Sequence, residues 1–167
     1  MLRLRPYKSS DAPYLLQWFH DEESFTKWCA NKFTYPLTTE QLASFKVTID
    51  DDPGAWSFVA LNEAGIPVGH LHMRNADYTN QSIHFGFIVV DDRYRGKGYG
   101  KEMLQLAITY ATTILKMKKI TLGVFGNNPA AHACYKKVGF VDEQFHPAFF
   151  TYQAEKWDLY DMVYLCN

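Results

Sequence analysis

The chain has 167 residues, enough for one domain with a real core, and 47% of them are hydrophobic, which excludes wholesale disorder. Its 17 basic and 18 acidic side chains leave a formal charge of −1, without the basic excess of a nucleic-acid surface. No run reaches the roughly 20 apolar residues of a membrane span, and Met1–Pro6 lacks the apolar stretch of a secretion signal. Cys29, Cys134 and Cys166 are odd in number and show no C-x-x-C spacing, so neither a disulfide frame nor zinc is expected. A reduced, cytoplasmic setting is the expectation.

Leu2 and Leu4 alternate with Arg3 and Arg5, the pattern of a short strand. Ser9 and Ser10 precede Ala12, Leu15, Leu16 and Phe19, which predicts a helix behind a capping serine. Residues 20–36 read as irregular. Thr38 with Gln41 fits a capping box, and Leu42, Phe45 and Ile49 continue a helical face that Asp50-Asp51-Asp52-Pro53-Gly54 closes. Trp56–Leu61 and Pro67–Arg74 read as strands around a turn. Ser82–Val90 becomes nearly continuously apolar after His84, as in a central strand buried on both faces. A helix with a broad apolar face (Met103, Leu104, Ala107, Ile108, Ala111, Ile114, Leu115) begins near Lys101. Lys119–Phe125 is a further strand. Asn128 and Pro129 then open a helix that Gly139 ends. Strands from Phe140 and over Trp157–Cys166 complete the chain. This order predicts a single α/β domain over 1–167, with about six to seven strands and about four helices.

Between the strand ending at Val90 and the helix stands Arg95-Gly96-Lys97-Gly98-Tyr99-Gly100. Glycine lets backbone N–H groups converge, and a helix N-terminus favours negative charge, so strand, loop and helix together form an anion site. Arg95, Lys97 and Lys101 surround it with cations. The spacing is G-x-G-x-G, neither the G-x-G-x-x-G of dinucleotide folds nor the G-x-x-x-x-G-K-S/T of triphosphate loops.

The apolar strand, this loop and Asn128-Pro-Ala-Ala-His-Ala-Cys-Tyr135-Lys-Lys-Val-Gly139-Phe140 stand in one order. Together they resemble the GCN5-related N-acetyltransferase (GNAT) superfamily, whose signatures are R/Q-x-x-G-x-G/A and N-x-x-A-x-x-x-Y-x-x-x-G-F. Arg5, Asp11 and Trp18, with Asp21-Glu22-Glu23 and Trp28, also look like the branch holding ribosomal-protein N-terminal acetyltransferases. The resemblance implies a mixed central sheet and acetyl-CoA as donor, with its pyrophosphate on the amides of residues 95 to 100 and a contact from Asn128. It also implies that the pantetheine arm lies on Ile88, Val89 and Val90, where a backbone amide would polarise the thioester carbonyl.

Tyr135 is the expected catalytic acid, because acetyl transfer expels a thiolate that a phenol stabilises or protonates. From its helix face alone, Tyr135 is instead a core residue. Asn128 is both helix cap and cofactor contact. His84 stands eleven residues before Arg95, where several lysine-acetylating members of the family carry a catalytic glutamate. It is a candidate base, directly or through water, or a strand histidine with a structural hydrogen bond.

His70 and His72 alternate on one strand face without a third metal ligand, and no metal is expected. Cys134 is expected to be a small buried side chain, not a nucleophile. The resemblance implies a primary amine as acceptor: a protein N-terminus, a lysine or a small molecule. Residues 20–36 and Glu143–Tyr152 are expected to shape its site. The apolar stretch Phe145–Phe150 there either lines the pocket or meets a second copy of the chain as a homodimer. A non-catalytic acyl-CoA-binding domain on the same fold is the alternative function.

Overall fold

The alternating leucines of the first segment form β1, Arg3–Pro6, antiparallel to β2, Trp56–Leu61. β2 pairs antiparallel with β3, Pro67–Asp77, and β3 with β4, Ser82–Val90. β4 runs parallel to β5, Lys119–Phe125. The last strands, β6 (Val141–Tyr152) and β7 (Glu155–Leu165), form a hairpin whose β7 pairs antiparallel with β5. This computed structural model describes residues 1–167 and unites the strands in one mixed 7-stranded sheet ordered β1-β2-β3-β4-β5-β7-β6.

Helices cover both faces. On one side lie α4, Tyr99–Thr109, and α5, Pro129–Val138. Met103, Leu104 and Ala107 of α4 are fully buried against Leu71, Met73, Phe85 and Ile120 of the sheet. Burial of each large apolar side chain contributes about 1.5–3 kcal/mol, so this layer dominates stability. The opposite face carries α1 (Ala12–Gln17), α2 (Glu22–Cys29) and α3 (Thr39–Asp50). There Leu15, Trp18 and Leu42 close over Val59, while Phe25 and Cys29 close over Phe87.

Three expectations change. Residues 20–36 are not wholly irregular, because Asp21 caps α2 by accepting from the Ser24 amide at 2.7 Å. Neither Ser9 nor Ser10 caps α1. Asp11 stands at the N-cap of α1 but makes no side-chain cap bond; its carboxylate instead accepts from the Lys8 amide at 2.8 Å and from the two terminal Arg5 guanidinium nitrogens at 2.7 Å. Phe145–Phe150 is no loop but part of β6, an edge strand on which Phe145 and Phe149 are exposed.

Asp11 is 2% exposed. Burial pushes its pKa up, but the Arg5 hydrogen bonds and the Lys8 amide outweigh burial and leave it below 3.8. A depressed carboxyl stabilises the fold above its unfolded pKa, and that stability is lost as pH falls through the lower folded value. Asp11→Ala is therefore expected to cost about 3 kcal/mol in urea unfolding at neutral pH. The gap from wild type is expected to narrow below pH 3.8. A loss under about 0.5 kcal/mol would show that the pair carries no stability.

Candidate functional site

β4 and β5 pair only at Ser82–Lys119, Ile83–Ile120 and His84–Thr121, then diverge. On its other side β4 carries a bulge. Gly86 faces His72 and Val89 faces His70, so Phe87 and Ile88 together oppose the single Leu71, and Phe87 adopts a left-handed φ of 47°. From Phe85 to Val90, the β4 edge facing β5 lacks a partner strand, which leaves backbone groups for a ligand. A cleft of about 800 Å³ follows this gap. Gly86, Ile88, Val89 and Val90 line one wall and Gly123, Val124 and Phe125 the other. Central-strand burial on both faces was the expectation for β4. The splay instead opens its C-terminal half.

At the α4 end of the cleft, Gly96 and Gly98 take left-handed φ of 76° and 77°. Left-handed residues on either side of Lys97 turn successive N–H groups toward one concavity. Gly98 precedes α4 and no side chain caps the helix, so its first-turn amides remain available. Nothing lies within 4 Å of a Cβ built on either glycine. Arg95 and Lys101 line the cleft with Lys137, and Arg95 also pairs with Asp92. Gly96, Gly98, Tyr99 and Gly100 line it too. Lys97 does not, for its ammonium sits 5.3 Å over the Tyr94 ring.

Asn128 lines the same cleft and caps α5, its Oδ1 accepting from the Ala131 amide at 3.4 Å. The helix ends at Gly139, where φ is 111° and a Cβ would stand 3.0 Å from the Tyr164 ring. Held at both ends, α5 presents Tyr135 to the cleft wall. Tyr135 is 7% exposed, and its hydroxyl makes no hydrogen bond within the protein. Burial first, then the neighbouring Cys134, hold its pKa far above 10, so it is a neutral donor at working pH. Cys134 is half-buried and also raised by burial, the state of a packed thiol.

His84 stands apart from this cleft. It lines a separate cavity of about 360 Å³ with Lys119 and Thr121, and its Nδ1 lies 2.9 Å from Thr121 Oγ1. Burial, then the cationic Arg74, push its pKa down to about 4, against the opposing pull of Asp161. Its imidazole thus stands at the vertex of the splay, outside the cleft lining.

The α2 end of the cleft differs in character. Trp18, Phe19, Trp28 and Phe87 make it aromatic, and the buried Trp28 Nε1 has no hydrogen-bond partner. Asp21 lines it. Burial, and then Glu22, Glu23, Asp21 and Glu155, raise the pKa of Tyr152 at the hairpin tip; of these carboxylates only Asp21 lines the cleft, with Lys27. One end of the cleft carries Arg95, Lys101 and Lys137, and the other sets Asp21 and Lys27 among aromatic rings. Alternation of apolar residues could not reveal Phe87 or Gly123 as wall residues, because a bulge and a strand gap leave no periodic mark.

Comparison with known proteins follows this geometry. The acetyltransferase (GNAT) domain model matches residues 1–141. A spermidine N(1)-acetyltransferase of Vibrio cholerae is 33% identical over 76 residues, 46% of this chain and 43% of that protein. The match thus spans less than half of that relative's length. An L-amino acid N-acetyltransferase of Escherichia coli is 30% identical over 115 residues, 68% of this chain and 70% of that protein. The structure of spermidine N-acetyltransferase from Vibrio cholerae in complex with CoA and spermine superposes with a TM-score of 0.86 at 22% identity, covering 98% of this chain and 95% of that one. That likeness extends the shared fold beyond the family match, through the C-terminal hairpin. With the glycine loop, the splayed strand and the Asn128–Phe140 helix in their places, the chain belongs to the GNAT acetyltransferase family.

Proposed function

We propose that this protein is an acetyl-CoA-dependent N-acetyltransferase acting on a primary amine of polyamine type. The observation that carries this reading is a single cleft, cationic at the glycine loop and aromatic around Asp21 at α2. Backbone amides at Gly96–Gly100 with Arg95, Lys101 and Lys137 suit an anionic donor, and the Asp21 carboxylate among the rings of Trp18, Phe19, Trp28 and Phe87 suits a cationic acceptor. The relatives support both halves, one a spermidine acetyltransferase and one solved with CoA and spermine.

When bound, acetyl-CoA supplies an acetyl thioester. The uncapped α4 N-terminus would hold its pyrophosphate, and the free edge from Ile88 to Val90 its pantetheine arm. As the amine nitrogen bonds to the carbonyl carbon and the C–S bond breaks, the Tyr135 hydroxyl delivers its proton to the departing sulfur, and the surplus proton of the acylated nitrogen returns through water to the tyrosinate. The amine must arrive neutral. An ammonium with a lysine-like pKa near 10.4 is neutral only about once in 2,500 at pH 7. In this reading water in the gap takes the ammonium proton, with His84 orienting it from the vertex.

The test compares spermidine, spermine, an amino acid and an N-terminal peptide as acceptors between pH 7 and 9. Polyamine kcat/KM is expected to exceed the others and to rise about tenfold per pH unit, following the neutral amine. Preference for the amino acid or peptide would overturn the polyamine assignment. Thermal stabilisation by acetyl-CoA with no acetylated product would establish the acyl-CoA-binding alternative.

A further inference from the structure

His70 lies outside the cleft and takes no part in the chemistry above, yet it is 2% exposed and both ring nitrogens are engaged. Nδ1 lies 3.0 Å from the Phe87 carbonyl, and Nε2 lies 2.6 Å from Ser57 Oγ. A carbonyl only accepts, so Nδ1 carries the proton and donates. Nε2 is then bare, and the Ser57 hydroxyl donates to it. Burial pushes the histidine pKa down to about 4, which keeps this neutral form throughout the working range. The Tyr7 ring meets the imidazole edge-on with centroids 5.9 Å apart, fixing its plane.

The target of this chain of bonds is the bulge. Phe87 is an aromatic residue at a φ of 47°, a conformation that costs about 1–2 kcal/mol and persists only where its surroundings impose it. The only cis peptide bond in the chain is Tyr35–Pro36, so the Phe87–Ile88 peptide is trans. In a trans peptide the carbonyl and the N–H point in opposite directions. A Phe87 carbonyl held toward His70 on β3 therefore turns the Ile88 N–H the other way, to the side where β5 has diverged and the cleft begins. A well-packed apolar pair could fill the space of Ser57 and His70 with little change in stability. A fixed hydrogen-bond direction is what such a pair could not supply.

We propose that His70, backed by Ser57, is a positioning residue for acyl transfer: it aims the Ile88 amide at the acetyl carbonyl by locking the Phe87–Ile88 peptide plane. The proposal rests on the acetyltransferase reading of the cleft. Its readout is the carbonyl stretch of bound acetyl-CoA labelled with carbon-13 in the acetyl group, measured by difference infrared spectroscopy, with kcat and the acetyl-CoA Kd alongside. In the wild type the stretch is expected at lower frequency than in water, because a donor polarises the carbonyl. His70→Leu is expected to lose that shift and about 10- to 100-fold in kcat, with the Kd within about twofold, since the glycine loop is untouched. His70→Asn, whose amide N–H occupies the place of Nδ1, is expected to restore most of both.

A folded His70→Leu enzyme with the wild-type carbonyl frequency and kcat would overturn the proposal. If His70→Leu does not fold, the comparison of His70→Asn with His70→Gln decides, because Gln places its donor too far out. Equal frequency and kcat in those two would reject the aiming role. A wild type that binds acetyl-CoA with a shifted carbonyl, lost in His70→Gln and kept in His70→Asn, but acetylates no amine would sink the functional reading and leave this one standing.

Discussion

Replacing Tyr135 by Phe is expected to lower kcat about 100-fold while leaving the acetyl-CoA Kd within about twofold. The asymmetry follows from the environment of the hydroxyl. It has no protein partner, so its removal breaks no structural hydrogen bond and leaves the ring packed against Phe140. Thermal stability is accordingly expected to stay level. Burial and Cys134 hold the phenol protonated well above neutral pH, which fits it to give a proton and not to take one. The kcat of the Phe variant is then expected to recover partly with acyl donors whose thiolates leave without protonation. A kcat within about threefold of wild type would reduce Tyr135 to a packing residue and move the acid elsewhere.

Gly98→Val is expected to raise the acetyl-CoA KM by 30-fold or so, with kcat at saturating donor within about threefold. The residue sits at φ 77°, which a β-branched side chain adopts only under strain. A Cβ there would meet no protein atom within 4 Å, so the added methyls would project into open space that the anion would use. Losing one charge-assisted backbone hydrogen bond is worth about 1.5–3 kcal/mol, or roughly ten- to a hundredfold in affinity. Gly98→Ala is expected to fall between. Calorimetry with CoA and with a CoA analogue lacking the pyrophosphate separates the causes. The penalty belongs to CoA alone if the loop holds the pyrophosphate, and falls on both ligands if the substitution merely deforms α4.

Much of this was legible before any coordinates. Strands β2, β4 and β5 fall at the ends read from their apolar runs, and α5 starts and stops where Asn128, Pro129 and Gly139 say it should. Those features are local: a cap or a left-handed glycine acts through its own neighbours in the chain. α2 escaped notice because it is short and its buried residues, Phe25, Thr26 and Cys29, make too narrow a stripe to show a period. Local pattern also hid the pairing of Asp11 with Arg5, which lies in the preceding strand. The gap between β4 and β5 is harder still, since pairing that stops after His84–Thr121 depends on two strands distant in sequence.

The site divides the same way. The resemblance pointed to the glycine loop, Asn128 and Tyr135, and all of these but Lys97 line one cleft. It placed His84 by its distance along the chain, but register puts that side chain at the closed vertex, facing Thr121. What the sequence could not show is that Asp21, Trp28 and Phe87 share one mouth, because they come together only when α2 packs on β4.

The most direct measurement is product analysis by mass spectrometry after incubation with acetyl-CoA and spermidine, with released thiol counted in the same sample. Here the expected result is one acetyl group on a primary nitrogen of spermidine for each CoA released, and about a hundredfold less of both in the Tyr135→Phe enzyme. Acetyl-CoA that binds but yields neither thiol nor acetylated amine would contradict the account, as would wild-type product levels in Tyr135→Phe.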